Sequence, residues 1–309
     1  MKVFSKITDL RQDYPRPAIA LGMFDGVHIG HQAIIGEACS LARESGGTSM
    51  VLTFSNHPLS ALAPERMPLQ IGDDAMKQKL VAGLGVDVLV DIPFTRDFAR
   101  LSPEEFLALL RDRFAPRYVV TGPNYTFGCK GKGTKRMLLR VAEDYGFRAE
   151  VCNAVSYGSH MVSSTRIRKA LADGDLDLAN AMLGRSFAFA GRVRHGDRRG
   201  RTLGFPTANL DIPANRAMLP NGAYAVKAEL GDDGGILCYG MASVGANPTF
   251  GSMERRVEVN LFDFADDIYD QRMQVSFCAH LREERRFSSA EQLVRQLRKD
   301  AAAARNFFQ

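Results

Sequence analysis

The chain of 309 residues is long enough for two ordinary domains, each with its own core. With 45% hydrophobic and 24% charged residues, and no apolar run approaching the ~18–20 residues that cross a bilayer, its composition is that of a globular protein with no membrane partner. The net charge of +5 suits anionic small substrates, and the basic residues are interspersed with acids, as in LRDRFAPR and HLREERRF, which argues against nucleic acid as a primary partner.

Five cysteines, Cys39, Cys129, Cys152, Cys238 and Cys278, are scattered and form no C-x-x-C pair. That pattern speaks against a disulfide framework and a cysteine zinc site. The opening MKVFSKITDLRQDYPRP lacks the continuous apolar core of a secretory signal, so a cytoplasmic setting is expected.

The first 184 residues alternate strand-like and helix-like runs. AIAL is followed by the helical QAIIGEACSLARESG and then the strand-like TSMVLTF. DDAMKQKLVAGLG precedes VDVLVDI. SPEEFLALLRDRF carries a start signal, with Ser102 as N-cap, Pro103 at the first helical position and Glu105 completing a capping box. RYVVTG, TKRMLLRVAEDYG and FRAEVC then read as strand, helix and strand. Short apolar runs alternating with helices predict parallel strands joined by crossover helices. SSTRIRKALADG and DLDLANAMLG close this half as two helices, each finishing on glycine.

From residue 185 the rhythm changes. FAFAGRVR, GAYAVKAEL, GILCYGMASVG, RRVEVNLFDF and RMQVSFCAHL are strand-like and separated by Gly, Pro and Asp clusters, with SSAEQLVRQLRKDAAAARNF as a terminal helix. This predicts an antiparallel barrel or sandwich with one closing helix, spanning residues 185–309 after a short junction.

GMFDGVHIGHQ (Gly22–Gln32) joins the first strand to its helix. Its two histidines admit three readings: metal ligands, incidental residues of a turn, or an anion site. A third ligand of matching type is absent, which disfavours metal. A glycine turn leading into a helix N-terminus offers free N–H groups and a positive dipole end, which favours phosphate. In the second half, GDRRGRTLGFPTANL (Gly196–Leu210) supplies flexible backbone, positive charge and a Thr-x-Asn pair of oxygen ligands. The alternative reading is a basic surface hairpin. No Walker A motif and no kinase H-R-D or D-F-G set is present.

His28-Ile29-Gly30-His31 resembles the H-x-G-H signature of the nucleotidyltransferase superfamily, and the longer string is similar to the FMN adenylyltransferase module of bacterial FAD synthetases. TFSNHP (Thr53–Pro58), TGPNYTFGCKGKG (Thr121–Gly133) and VSSTRIR (Val162–Arg168) resemble further segments of that family, in order. GRTLGFPTAN, PNGAYAV, VGANPTF, RVEVNLFDF and HLREERRF resemble riboflavin kinase, with Tyr269-Asp270 where that family usually has Tyr-Gly.

The resemblance implies a Rossmann-like α/β nucleotidyltransferase domain over residues 1–184 and an antiparallel β-barrel kinase domain with a C-terminal helix over 185–309. It implies a bifunctional enzyme that phosphorylates riboflavin to FMN with ATP and Mg²⁺, and then adenylylates FMN to FAD with release of pyrophosphate. By the same resemblance, His28 and His31 stabilise charge during adenylyl transfer. Gly22, Phe24, Asp25, Gly26, Ser163, Ser164, Thr165 and Arg168 bind ATP with them, and Asn56, Pro58, Asn124, Tyr125 and Phe127 serve the flavin side. In the kinase, Gly191, Gly204, Pro206, Thr207 and Asn209 would hold the nucleotide phosphates, Thr207 and Asn209 the metal, and Glu258 would be the general base. Flavoenzymes are the expected recipients of the product.

Overall fold

The structure, a computed structural model, describes residues 1–10, 14–196, 199–231, 235–249 and 252–309, with only the backbone described for 199, 246–249 and 252–254. Asp197 and Arg198 of the Gly/Arg-rich loop, and Phe250 of VGANPTF, lie outside the described residues. The chain divides into two compact units, Met1–Ser164 and Thr165–Gln309.

The first unit is built on β1 (Lys2–Phe4), β2 (Ala18–Leu21), α1 (Ile29–Glu44), β3 (Ser49–Phe54), α2 (Pro58–Leu62), α3 (Asp74–Gly83), β4 (Val88–Ile92), α4 (Pro103–Phe114), β5 (Tyr118–Thr121), a small hairpin β6 (Thr126–Phe127) and β7 (Gly133–Thr134), α5 (Lys135–Val141) and β8 (Arg148–Val151). A second small hairpin, β9 (Ser156–Tyr157) and β10 (His160–Met161), precedes its end. Six strands form one sheet in the order β1-β4-β3-β2-β5-β8, every pair parallel.

Alternation along the buried strands divides the core. Ile19, Leu21, Met50 and Leu52 pack on one face with Phe106, Leu107 and Leu110 of α4. Ala20, Val51 and Leu89 pack on the other with Ile34, Ile35 and Ala38 of α1. The predicted capping box starts α4: Glu105 N–H donates to Ser102 Oγ at 3.1 Å, and Ser102 N–H donates to Glu105 Oε2 at 2.7 Å.

The strand order reverses at β2. The chain first adds β3 and β4 on one side, then returns to add β5 and β8 on the other. Loops leaving β2 and β5 therefore diverge at their carboxyl ends and open a crevice, the usual ligand position in an open parallel sheet.

The second unit holds α6 (Ser164–Asp173, whose first residue closes the first unit), α7 (Leu176–Leu183), β11 (Phe187–Arg192), α8 (Arg199–Thr202), β12 (Ala208–Asp211), β13 (Gly222–Leu230), β14 (Ile236–Thr249), β15 (Ser252–Leu261), β16 (Arg272–Glu283) and α9 (Ala290–Phe307). Gly174 and Gly184 stand at φ +80° and +69° just past α6 and α7, the left-handed positions that glycine tolerates. Strands run β11-β16-β13-β14-β15-β12, all antiparallel. The first and last meet where Arg194 N–H donates to Asn209 O at 2.8 Å, which closes the sheet into a barrel.

Helix α9 covers one flank of the barrel. Its Leu297, Ala301, Ala304 and Phe308 side pack near Ala225 and Met241. Asp300, only 4% exposed, takes a forked contact from Arg282 of β16 at 2.8–3.0 Å and a further bond from Gln296 at 2.8 Å. Among the described residues, no helix is long and apolar enough to cross a membrane.

Candidate active sites

The turn after β2 is unusual backbone. Phe24 and Val27 take φ +51° and +39°, and Gly26 takes φ +78°. Left-handed conformations are unfavourable for a β-branched residue such as valine, so the surroundings must impose them. They do. Asp25 accepts from the Ile71 and Gly72 N–H groups at 3.0 and 3.4 Å, and its carbonyl accepts from Ser164 Oγ at 3.0 Å. Thr53 Oγ1 donates to Met23 O at 3.1 Å, and Gln32 Nε2 to Val27 O at 2.9 Å. A Cβ on Gly22 would stand 2.8 Å from the Phe24 ring. The carboxylate of Asp25 thus visibly shapes the turn.

That turn delivers His28 as the N-cap of α1. His31 N–H donates to His28 Nδ1 at 3.2 Å. A ring nitrogen that accepts carries no hydrogen, so His28 is the neutral tautomer with its hydrogen on Nε2. The imidazoles of His28 and His31 stack with centroids 3.5 Å apart and planes 18° apart, and Phe24 meets His31 edge-on at 5.3 Å. A Cβ on Gly30 would lie 3.2 Å from the His28 ring, so a side chain between the histidines would press on that imidazole. The pair offers hydrogen-bond donation to an oxyanion without the cost of two stacked cations.

A cavity of about 260 Å³ opens beside this pair, between the loops after β2 and β5. Gly22, Phe24, His28, His31, Ser163 and Ser164 of the expected nucleotide set line it, as do Asn124 and Tyr125 of the expected flavin set. Asp25, Gly26 and Asn56 line a smaller neighbouring pocket instead. Thr165 and Arg168 stand on the first turns of α6, in the second compact unit.

Phe127 packs into the core against Phe106 at 5.5 Å, behind Tyr125, which stacks on it at 6.0 Å. Burial pushes the Tyr125 phenol well above its usual range, so it remains a neutral group. Pro58 opens α2. Asn56 clasps Phe94 at both ends, with Nδ2 donating to its carbonyl at 3.1 Å and Oδ1 accepting from its N–H at 2.6 Å.

Sequence reasoning missed Lys77. This buried ammonium reaches Phe54 O at 2.8 Å, Asp91 at 3.0 Å and Asp74 at 3.2 Å, holding the end of β3 where the SNHP segment begins. Burial raises the Asp91 carboxyl above its ordinary range, outweighing the lowering by Lys77. The only signal in the sequence is a lysine on the apolar side of DAMKQKLVAG, next to Met76 and one turn from Val81.

In the barrel, β12 and β15 pair so that Asn209 stands directly opposite Glu258. Residues opposed in an antiparallel pair share a face, with Cβ atoms ~4.5–5.5 Å apart. Asn209 is buried, its Nδ2 donates to Thr207 O at 3.3 Å, and Gly196 leaves no room for a Cβ against its amide. Gly204 takes φ +81° in the preceding turn, Pro206 follows it, and Gly191 of β11 approaches Leu210 closely.

A cavity of about 390 Å³ has a wall of Val193, Ala208, Val259 and Leu261 and a polar mouth that includes Thr207 and Arg201. Ala208 and Val259 alternate with Asn209 and Glu258 along their strands, so the polar pair faces the other side of the sheet. Thr207, at the strand end, belongs to both.

Among the described residues, no group of three or more His, Cys, Asp or Glu side chains is placed to hold a metal ion. The neutral oxygens of Thr207 and Asn209 nevertheless fit Mg²⁺, which keeps several waters and is held mainly by the phosphates it accompanies.

A parallel α/β unit with a histidine pair at a helix start by its switch point, followed by an antiparallel barrel with a glutamate opposite an asparagine, defines a chain of two modules of different fold class. Comparison with known proteins agrees. The family model for FAD synthetase matches residues 10–166, and that for riboflavin kinase matches residues 183–308.

The chain is 36% identical over 309 residues to the bifunctional riboflavin kinase/FMN adenylyltransferase of Bacillus subtilis, covering 97% of this chain and 95% of that one. It is 35% identical over 312 residues to the protein of the same name from Escherichia coli K12, covering 100% and 98%. A solved structure described as a macrolide-efflux protein from Streptococcus pneumoniae superposes with a TM-score of 0.86 at 35% identity, over 98% of each chain. The chain belongs to the bifunctional riboflavin kinase/FMN adenylyltransferase family. It is an enzyme of flavin biosynthesis that phosphorylates riboflavin to FMN and adenylylates FMN to FAD.

Proposed function

We propose that the two reactions are divided between residues 1–184, which adenylylate FMN, and residues 185–309, which phosphorylate riboflavin, each at the site described above. The observation that carries the division is the β12–β15 register, which puts a carboxylate and an amide oxygen on one face, far in sequence from the histidine pair.

In the kinase, Glu258 accepts the proton of the riboflavin 5′-hydroxyl as that oxygen attacks the γ-phosphorus of ATP and ADP leaves. Thr207 and Asn209 would hold Mg²⁺, which when bound would supply neutralisation of phosphate charge. The apolar cavity suits the nucleotide base, while riboflavin lies on the Glu258 face. Gly191, Gly204 and Pro206 shape the backbone between them.

In the adenylyltransferase, a phosphate oxygen of FMN attacks the α-phosphorus of ATP, and pyrophosphate leaves. His28 Nε2–H and His31 donate to the phosphate oxygens as their charge grows. Ser163, Ser164, Thr165 and Arg168 bind the polyphosphate, with Gly22, Phe24, Asp25 and Gly26 forming the turn beneath it. Asn56, Pro58, Asn124, Tyr125 and Phe127 build the flavin side. FMN and FAD then pass to flavoenzymes in a cytoplasmic setting, with no nucleic-acid or membrane partner.

Purified protein supplied with riboflavin, ATP and Mg²⁺ tests this by chromatography. Glu258→Gln should abolish FMN formation yet convert supplied FMN to FAD, and the double variant His28→Ala/His31→Ala should do the reverse. Loss of both activities together in a folded variant would overturn the two-site division.

A further inference from the structure

We infer that Asn260 is a positioning residue of the kinase site, locking the segment that carries Thr207 and Asn209 to the strand that carries Glu258. The inference rests on the reading of those three residues given above.

Asn260 lies two residues beyond Glu258 on β15 and so shares its face. The register that sets Ala208 against Val259 and Asn209 against Glu258 would, one step on, set Thr207 against Asn260. The regular ladder stops there, because Pro206 has no N–H to continue it. What holds the chain beyond is a side chain: Asn260 Nδ2 donates to Pro206 O at 2.8 Å.

The bond is well protected. Asn260 is 8% exposed, and Gly240 on the neighbouring strand leaves no space for a Cβ against the Asn260 carbonyl. On the other side of the segment, Phe205 N–H donates to Gly200 O at 2.8 Å, and Gly200 too is packed against the Phe205 carbonyl. Pro206 is thereby gripped from both directions, immediately before Thr207.

The geometric consequence is a matched spacing. Glu258 and Asn260 are two residues apart on one strand, and Thr207 and Asn209 are two residues apart on the other. Asn209 is placed against the base by the ladder, and Thr207 is placed against it by the Asn260 amide. Release of Pro206 O would let Thr207 drift while the ladder still holds Asn209 opposite Glu258. The effect belongs to nucleotide binding, not to riboflavin binding.

The test uses the full chain. Asn260→Leu keeps the volume but removes the donor. It should raise KM for MgATP in the kinase reaction about tenfold, the scale of one lost buried hydrogen bond, with KM for riboflavin changed less than about twofold. The stabilisation of the barrel against heating by MgADP should shrink in parallel. Asn260→Asp, which presents an oxygen to the Pro206 carbonyl, should be at least as impaired, whereas Asn260→His, which keeps a ring N–H donor, should recover much of the nucleotide KM.

Adenylylation of supplied FMN by the same preparations reports active protein and should not change. If Asn260→Leu fails to fold its barrel, the contrast between the Asp and His variants decides in its place. Unchanged KM for MgATP in a folded Leu variant, or equal Asp and His variants, would overturn the inference. A rise in KM for riboflavin alone would instead overturn the assignment of Thr207 and Asn209 to the nucleotide.

Discussion

Single residues carry backbone conformations here that their side chains do not favour, and two cases differ in meaning. Phe24 and Val27 are left-handed within the turn after β2, where bonds to Asp25 from Ile71 and Ser164 enforce the shape that presents His28. Asp270 is left-handed as well, at φ +61°, but in a surface turn of the barrel. Its N–H donates to Val193 O at 2.9 Å and its carbonyl accepts from Arg192 Nη1 at 2.9 Å, so both bonds are made by backbone atoms that glycine also has. Asp270→Gly should therefore stabilise the barrel by about 0.5–1 kcal/mol, read as a raised midpoint in thermal unfolding. This is the position where the sequence departs from the Tyr-Gly of its family, and the dihedral angle explains why glycine is usual there.

At the scale of elements, Lys77 is the joint on which the carboxyl ends of β3 and β4 and helix α3 converge. Lys77→Met should destabilise the first unit by about 3–5 kcal/mol at neutral pH, because Asp91 would remain buried without its cation. The pH dependence has a definite sign. The folded-state pKa of Asp91 already lies above its ordinary value, so the folded state favours the protonated acid, and stability falls as pH rises through that pKa. Without Lys77 that pKa would climb further. The deficit of the variant, measured by urea unfolding, should therefore shrink as pH is lowered toward the carboxylate range.

The elements themselves were largely legible. AIAL, TSMVLTF, VDVLVDI and RYVVTG became β2, β3, β4 and β5, and the capping box at Ser102 formed with both its bonds. Several short pieces were not. β1 has three residues and no apolar alternation, β9 and β10 have two residues each, and TKRMLLRVAEDYG breaks into α5 and a separate 3₁₀ turn at Glu143–Tyr145. Short pairings depend on a partner supplied by another part of the chain, and no periodicity announces them. The same limit hid Lys77 and Asn260. Their partners, Phe54 and Pro206, stand 23 and 54 residues away, so only the fold reveals what they hold.

For the whole molecule, one chain combines two modules whose reactions are consecutive. The product of the kinase is a substrate of the adenylyltransferase. Equal amounts of the Glu258→Gln protein and the His28→Ala/His31→Ala protein should together convert riboflavin to FAD, although neither does so alone. Chromatography of the mixture checks this, and absence of FAD while FMN accumulates would show that FMN made on one chain does not reach another.

The opposition of Asn209 and Glu258 gives the barrel a parity. Side chains change face at every step along a strand, so an insertion or deletion of one residue within β12 or β15 would turn asparagine and glutamate away from each other while leaving the strand count and the barrel closure intact. A change of two residues would return the right face and displace the pair by one repeat. Between Pro206 and Asp211, and along the strand that faces it, only the residue count that is present keeps Asn209 and Glu258, the proposed metal-holding residue and base, on one side.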